Sequence, residues 1–364
     1  MIINNIDFPT KILNAISNDS LVVFAGAGVS VDAPTNLPDF VGLTQSIAKQ
    51  CGETFNQRED KIDEFLGDLQ RNDIKVKELV AKRLMQGNPQ PNEFHFNILN
   101  LFSSSDSVRI VTTNQDCMFE MAADNQGWEI PVFDSPAVPY GDDFNGIVHL
   151  HGNVKNPRNI IVTDEDFGKA YMLSGYATRF VVDMLKRYTV LFVGYSYNDD
   201  IVRYLTTSIP SDTFSGAYIL CDSNEKKIDR TGIKSIIFPK GKYSVACSAI
   251  KKIGDYAKRG LIDWKGRIGS LNIEAPPADK ESQDELIEGI HDLTVQKVLC
   301  DRIKGKEWLM WLDEQNIFSP LFDESTQLDK KDELWGNWII VNLISNEIFN
   351  IIINKNNKFN YIFI

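Results

Sequence analysis

The chain has 364 residues, 43% of them hydrophobic and 24% charged. This balance excludes a mainly disordered protein and leaves room for two or three domains with a sizeable core. The 38 Lys and Arg stand against 50 Asp and Glu, a net charge of −12, so direct nucleic-acid binding through bulk electrostatics is not expected.

The first twenty residues have neither the basic start nor the apolar stretch of a signal peptide, which makes a cytoplasmic location the expectation. From residue 9 to about 255, short apolar runs alternate with helical patterns. Strands are predicted at 21–25, 109–113, 147–151, 160–163, 190–194, 217–220 and 235–238. Several are unbroken runs of apolar or β-branched residues, as in strands buried on both faces. Helices are predicted at 39–51, 58–71, 75–85, 92–102, 116–123, 177–188, 199–208 and 246–256. This alternation predicts an α/β fold, a Rossmann-like doubly wound parallel sheet.

The alternation ends in a stretch holding Gly260, Gly266, Gly269, Pro276 and Pro277, which reads as a linker over 259–284. A mainly helical C-terminal region follows at 285–364, with a continuous helical pattern over 283–311. The expected division is therefore 1–258, 259–284 and 285–364. The last thirty residues are rich in Ile, Asn, Phe and Trp and stop at Tyr361-Ile-Phe-Ile364. They read as a truncated helical region, or as an element covered by a partner or a second copy. Glu347, Asn354, Lys355 and Lys358 interrupt the run, which argues against a membrane anchor. The five cysteines form no CxxC pair and are odd in number, so neither a disulfide framework nor a cysteine-rich zinc site is expected.

The chemistry concentrates at predicted strand ends. The first strand runs into Phe24-Ala-Gly-Ala-Gly-Val-Ser30. Gly26 and Gly28 lack the Cβ atoms that would keep a backbone from a pyrophosphate, and the following N–H groups and the Ser30 hydroxyl can donate to phosphate oxygens. The third glycine of a dinucleotide fingerprint is absent, since Val31 and Asp32 follow; a tight strand-to-helix turn is the alternative. In Leu37-Pro-Asp-Phe40, Asp39 suits the N-cap of the next helix. Thr113-Asn-Gln-Asp116 falls where open α/β sheets bind ligands, although Asp116 can also cap a helix and Asn114 can also turn the chain.

In Val148-His-Leu-His-Gly152, the two histidines share one face of a regular strand. No third ligand lies nearby and one of the pair would face the core, so no metal is expected. His151, beside Gly152, suits acid–base work at neutral pH. Gly194 and Ser196 offer a second phosphate or ribose contact, and Asp222 ends a strand where it can reach a ribose or hold a turn. Together these ends describe the lining of a nucleotide crevice.

Taken in order, Gly26-Ala-Gly-Val-Ser30, Pro38-Asp-Phe40, Thr113-Asn-Gln-Asp116, Leu150-His-Gly152 and Gly194-Tyr-Ser196 resemble the sirtuin signature over about residues 15–255. The resemblance implies NAD as substrate. Ala25, Gly26, Ala27, Gly28 and Ser30 would cradle its phosphates, and Asp39 and Phe40 would lie over the nicotinamide and its ribose. Thr113, Asn114 and Asp116 would line the nicotinamide pocket, His151 would be the general base, and Gly194, Ser196 and Asp222 would serve the adenosine side.

The chain departs from sirtuin deacylases in three places. The four zinc cysteines are missing, Val41 replaces an arginine, and residues 55–102 look like an all-helical insertion. The run Ile161-Val-Thr-Asp-Glu-Asp-Phe167 with Lys169-Ala-Tyr171 resembles bacterial sirtuin-like NAD hydrolases of anti-phage defence, such as defence-associated sirtuins and Thoeris effectors; Gln115 stands where many of these have Tyr. The implied activity is an NAD glycohydrolase yielding nicotinamide and ADP-ribose, triggered through a partner defence protein or a phage component. A protein deacylase or ADP-ribosyltransferase, or an NAD or ADP-ribose sensor, are the alternatives.

Overall fold

The computed structural model describes residues 2–195, 215–223, 232–257, 261–290, 293–322 and 330–345. The predicted helix 199–208 and Ser196 lie outside these residues. The chain divides into two compact units, Ile2–Lys258 and Arg259–Ile364.

The first unit opens with a small antiparallel hairpin, β1 (Ile2–Ile3) and β2 (Ile6–Asp7), and helix α1 (Thr10–Ser17). Its centre is a seven-stranded sheet. The strands are β3 (Leu21–Ala25), β4 (Arg109–Thr112), β5 (Val132–Asp134), β6 (Gly146–His149), β7 (Thr189–Val193), β8 (Gly216–Asp222) and β9 (Ile233–Phe238), in the spatial order β5-β6-β4-β3-β7-β8-β9. Every pairing in it is parallel. The five residues of β3 are all buried, as are those of β7, because both strands are covered on both faces. Val23 lies opposite Ile110 on one side and Leu191 on the other.

From β3 the chain passes to β4, then to the edge strand β5, and comes back to place β6 between them, before it crosses β3 to build β7, β8 and β9 on the other side. The crevice at the carboxyl ends of β3, β4 and β7 is therefore the switch point of the topology, where open α/β sheets take ligands.

Between β3 and β4 stand α2 (Phe40–Cys51), α3 (Ile62–Arg71), α4 (Val76–Met85) and α5 (Glu93–Leu99). Leu43 and Ile47 of α2, Leu66 of α3 and Val80 of α4 bury into one apolar cluster. The other helices are α6 (Met118–Asn125), α7 (Asp164–Phe167), α8 (Tyr176–Arg187) and α9 (Tyr243–Ala257). Phe180, Val181 and Met184 of α8 cover Phe24, Val148 and Phe192 of the sheet.

The structure corrects several expectations. Residues 160–163 form no strand. Their backbone donors are taken otherwise: Ile161 N–H donates to the His151 carbonyl at 2.9 Å, and Val162 N–H and Thr163 N–H donate to the carboxylate of Asp166 in α7. Thr163 then caps α7. The hairpin β1–β2 and strand β5 were not predicted; two- and three-residue strands carry too little periodicity to read.

The second unit is helical among its described residues: α10 (Leu261–Ser270), α11 (Lys280–Ile290), α12 (Leu293–Arg302), α13 (Lys306–Glu314) and α14 (Lys330–Ser345). The stretch read as a linker thus carries α10, whose Trp264 and Ile268 are buried. The continuous pattern over 283–311 is three helices. Trp308 Nε1 donates to the Asn272 carbonyl and Trp338 Nε1 to the Ile303 carbonyl, each at 3.1 Å, so the interhelical turns are tied down by indole donors. No helix among the described residues is long and apolar enough to cross a membrane.

The exits of β3 and β7 interlock. A Cβ on Gly28 would meet the Gly194 Cα and carbonyl oxygen at 2.9 Å, and one on Gly194 would meet the Val29 nitrogen at 2.7 Å. Gly194 also has a φ of +74°, which an L side chain adopts only with strain. Gly194→Ala is expected to lower stability by about 1–3 kcal/mol. Thermal denaturation checks this, and an unchanged melting temperature would mean that the two turns do not constrain each other.

Candidate functional site

A cavity of about 1310 Å³ lies over the carboxyl ends of β3, β4, β7 and β8. It exceeds the roughly 300–1,000 Å³ common for small-molecule sites. Ala27, Gly28, Ser30, Asp39, Phe40, Thr113, Asn114, Asp116, His151, Gly194 and Asp222 all line it. Ala25 and Gly26 do not. They lie beneath it, where the Ala25 carbonyl accepts from Thr112 Oγ1 at 2.9 Å and Tyr195 Oη at 3.1 Å. Thr113 Oγ1 bonds Tyr195 Oη at 2.7 Å.

The glycine turn is less open to phosphate than its sequence suggests. Gly26 N–H donates to the Val193 carbonyl, Gly28 N–H to the Gly194 carbonyl and Val29 N–H to the Gly26 carbonyl. These glycines serve the close packing of two strand exits first. Ala27 N–H and the side of the turn that faces the cavity are what remain for a ligand among the described residues. Asp39 caps α2, its Oδ1 accepting from Gly42 N–H at 2.7 Å, and still lines the cavity. Asp222 Oδ2 accepts from Gly241 N–H at 2.6 Å, which ties the end of β8 to the turn after β9.

Asn114 is held from three sides. Its N–H donates to Thr112 Oγ1 at 3.0 Å, its Nδ2 donates to the Gly26 carbonyl at 3.1 Å, and its carbonyl accepts from His149 Nδ1 at 3.1 Å. With Nδ2 fixed on Gly26, Oδ1 is the end of the amide offered to a ligand. Asp116 is buried: Oδ2 accepts from the Ser30 hydroxyl at 3.0 Å and Oδ1 from Met118 N–H at 3.0 Å. Burial pushes its pKa up, and these two donors hold it back.

Ser30 is reached from a second side by His95, a residue that the sequence reading passed over. His95 Nδ1 accepts from Asn92 N–H at 3.2 Å, which leaves Nε2 to donate to Ser30 Oγ at 3.2 Å. A buried chain thus runs from α5 through Ser30 to Asp116. Burial lowers the His95 pKa to about 3, so the ring is neutral. The Asn92-Glu-Phe-His95 spacing was the available signal, since His95 closes a capping box on Asn92.

His149, at the end of β6, and His151, just past it, do not act as a pair. The strand stops at His149, Gly152 turns the chain with a φ of +73°, and the rings part. His149 Nε2 bonds Glu120 Oε1 at 3.0 Å. Burial opposes the imidazolium, but the hydrogen bond and charge of Glu120 outweigh it, so the His149 pKa is raised. The Glu120 pKa is lowered although burial opposes that too. His149 is thus a strut behind Asn114, bonded at both ring nitrogens. His151 turns to the cavity, and burial alone drives its pKa down to about 3. No group of three metal-binding side chains occurs among the described residues.

Carboxylates outnumber cations in the lining; Lys61 is its lysine and is bonded to Glu64 at 2.6 Å. Such a surface favours a developing positive charge over an anion.

Residues 108–234 match the family model of the SIR2-like domain. The SIR2-like segment contains Asn114, Asp116, His149, His151 and Gly194, while Ser30 and His95 precede it. The uncharacterised protein y4cA of Sinorhizobium fredii (strain NBRC 101917 / NGR234) is 30% identical over 234 residues. That match covers 57% of this chain and 19% of the relative, so the chain spans about a fifth of the relative's length. A solved structure described as the basis for the mechanism and regulation of Sir2 enzymes is 15% identical. It covers 68% of this chain and 98% of its own, with a TM-score of 0.37. A Sir2 homologue–NAD complex is 16% identical over 69% of this chain and 94% of its own, with a TM-score of 0.36.

Two outcomes are expected. Ser30→Ala strands His95 Nε2 and Asp116 Oδ2 and should destabilise the fold by about 1–3 kcal/mol in denaturant titration; no change would mean the chain of bonds is not formed. Glu120→Gln removes the partner of His149. The ordinary values are 4.5 for Glu120 and 6.5 for His149. A raised His149 pKa contributes stability below 6.5 that is lost as pH rises through the folded value; a lowered Glu120 pKa contributes stability above 4.5 that is lost as pH falls. The stability lost in Glu120→Gln should therefore be greatest between pH 4.5 and 6.5 and shrink on the alkaline side, as thermal melts across pH would show.

Proposed function

We propose that the first unit binds NAD in this cavity and hydrolyses its N-glycosidic bond, releasing nicotinamide and ADP-ribose. The observation that carries the reading is convergence. Asn114 and Asp116, just past β4, and His151, just past β6, line one cavity with the Ala27–Ser30 turn, at the switch point of a parallel sheet. The SIR2-like match over 108–234 supports the same assignment.

The chemistry follows from charge. Nicotinamide leaves with the electron pair of the glycosidic bond, and C1′ of the ribose becomes cationic. A carboxylate-rich lining stabilises that cation where it forms. Asn114 Oδ1 accepts a hydrogen bond from the attacking water and aims its lone pair at C1′. His151 is neutral at pH 7 and takes the proton of that water or of a ribose hydroxyl. Asp116, fixed by Ser30 and Met118, faces the carboxamide of the leaving group. The pyrophosphate is met by the Ala27–Ser30 turn.

Deacylation is the weaker reading, because Cys117 alone stands where a four-cysteine zinc module would be needed to wall an acyl-lysine channel. The finer role, an NAD-draining effector of anti-phage defence, is supported by the run 161–171 that follows His151-Gly152. It requires that turnover be held off until a trigger or partner arrives.

The test incubates purified protein with NAD and follows nicotinamide and ADP-ribose by chromatography. Asn114→Ala and His151→Ala should each reduce release by at least about 100-fold, with circular dichroism checking that each variant is folded. Parental turnover in either folded variant would overturn the assignment. Tight NAD binding without consumption would point to a sensor.

A further inference from the structure

The inference deepens the reading of His151 as the base and rests on it. The His151 ring is 2% exposed yet lines the cavity. Among the described residues, its side-chain hydrogen bond is a single one, between Nε2 and Tyr171 Oη at 2.7 Å. Phe167 meets the ring edge-on, with centroids 5.2 Å apart at 86°. Tyr171 stacks on Phe167 at 6.1 Å and 24°.

Tyr171 is not placed there by an ordinary helical turn. It sits in a π-helical turn, Gly168–Leu173, that follows α7 directly. Such wide turns are rare and recur at functional sites. This one is closed by Ser174 N–H donating to the Lys169 carbonyl at 3.0 Å and by Thr178 Oγ1 donating to the Tyr171 carbonyl at 2.8 Å. The tyrosine is thus pinned at its own backbone while its hydroxyl reaches the histidine.

The geometry points to Tyr171 as the positioning residue of His151: its phenol oxygen accepts the Nε2–H and so leaves the Nδ1 lone pair as the acceptor for a ligand proton. In a neutral imidazole, the hydrogen bond made by one nitrogen decides which nitrogen is free to act. When Nδ1 takes the proton, the Nε2–H bond to the phenol becomes charge-assisted and strengthens. Tyr171 keeps its own hydroxyl proton throughout, and the proton gained at Nδ1 is the one lost by the water or ribose hydroxyl. Burial alone would make His151 a poor base, with its pKa pushed down to about 3. A bond that favours the imidazolium offsets part of that penalty during turnover.

The test uses Tyr171→Phe in the full chain, which keeps the ring and its stack on Phe167. Histidine is labelled with ¹⁵N, and His151→Ala identifies the His151 signals. In the parent at pH 7, His151 should carry its proton on Nε2. In Tyr171→Phe that preference should weaken and the Nε2 signal should move, while kcat for nicotinamide release falls about tenfold and KM changes less than about twofold. A parent His151 protonated on Nδ1 overturns the proposal. So does a Tyr171→Phe variant with unchanged Nε2 signal, or with unchanged kcat where the parent is active. If the parent neither binds NAD nor releases nicotinamide but Tyr171→Phe still moves the Nε2 signal, the NAD reading falls and the positioning of His151 by Tyr171 stands.

Discussion

At the carboxyl ends of β3 and β7, two backbones leave the sheet through the same narrow space. A single methyl group on Gly28 would collide with main-chain atoms of Gly194, and one on Gly194 with main-chain atoms of Val29 and Gly26. Nothing softer than backbone lies between them, so neither turn can shift alone. The consequence spreads outward. The Gly26 carbonyl, set by this packing, receives the side-chain amide of Asn114, and the turn that follows places Ser30 beside Asp116. The cavity is thus fixed from its floor, and the polar groups around it inherit their aim from a contact that involves no side chain.

The polar shell above this floor is costly to bury and is bonded across elements, with Glu120 Oε2 left without a hydrogen-bond partner among the described residues. Ser30, His95, Asn114, Asp116, Glu120 and His149 are all less than a tenth exposed. Each finds a partner in another element: α5 reaches the turn after β3 through His95, α6 reaches β6 through Glu120, and β6 reaches the loop after β4 through His149. Breaking one link leaves its partner desolvated and unpaired, which is the expensive outcome for buried polar groups. The network therefore ties α5, α6, β6 and the loops after β3 and β4 into the geometry of one site.

The electrostatics sort these residues by task. Glu120 raises the His149 pKa and His149 lowers that of Glu120, and the pair serves as structure. His95 and His151 are kept neutral by burial, one inside a bonded chain and the other at the cavity wall. Neutrality is what a base needs before it acts, and the weak basicity that burial imposes has to be offset by neighbours. The lining supplies negative charge where a sugar would become positive, and few cations where a phosphate would sit. A dinucleotide would be bound here mainly through main-chain donors and hydroxyls.

Much of this was legible in the chain. The apolar runs at 21–25, 109–113 and 190–194 mark buried parallel strands because covering a strand on both faces removes polar alternation, and the Gly and polar residues at their ends mark where a crevice opens. Asn114, Asp116, His151 and Asp222 were visible for that reason. Other features depend on residues far apart in sequence. That Gly28 spends its N–H on Gly194, that His95 reaches Ser30 across sixty-five positions, and that Glu120 bonds His149 follow only once the sheet brings β3, β4, β6 and β7 side by side. The strand expected at 160–163 failed for a local reason, since its backbone donors met the His151 carbonyl and the Asp166 carboxylate of α7 instead of a sheet edge. Local pattern reports which face of an element is apolar; which polar group meets which is set by packing, because hydrogen bonds depend on separations in space that the order of residues does not encode.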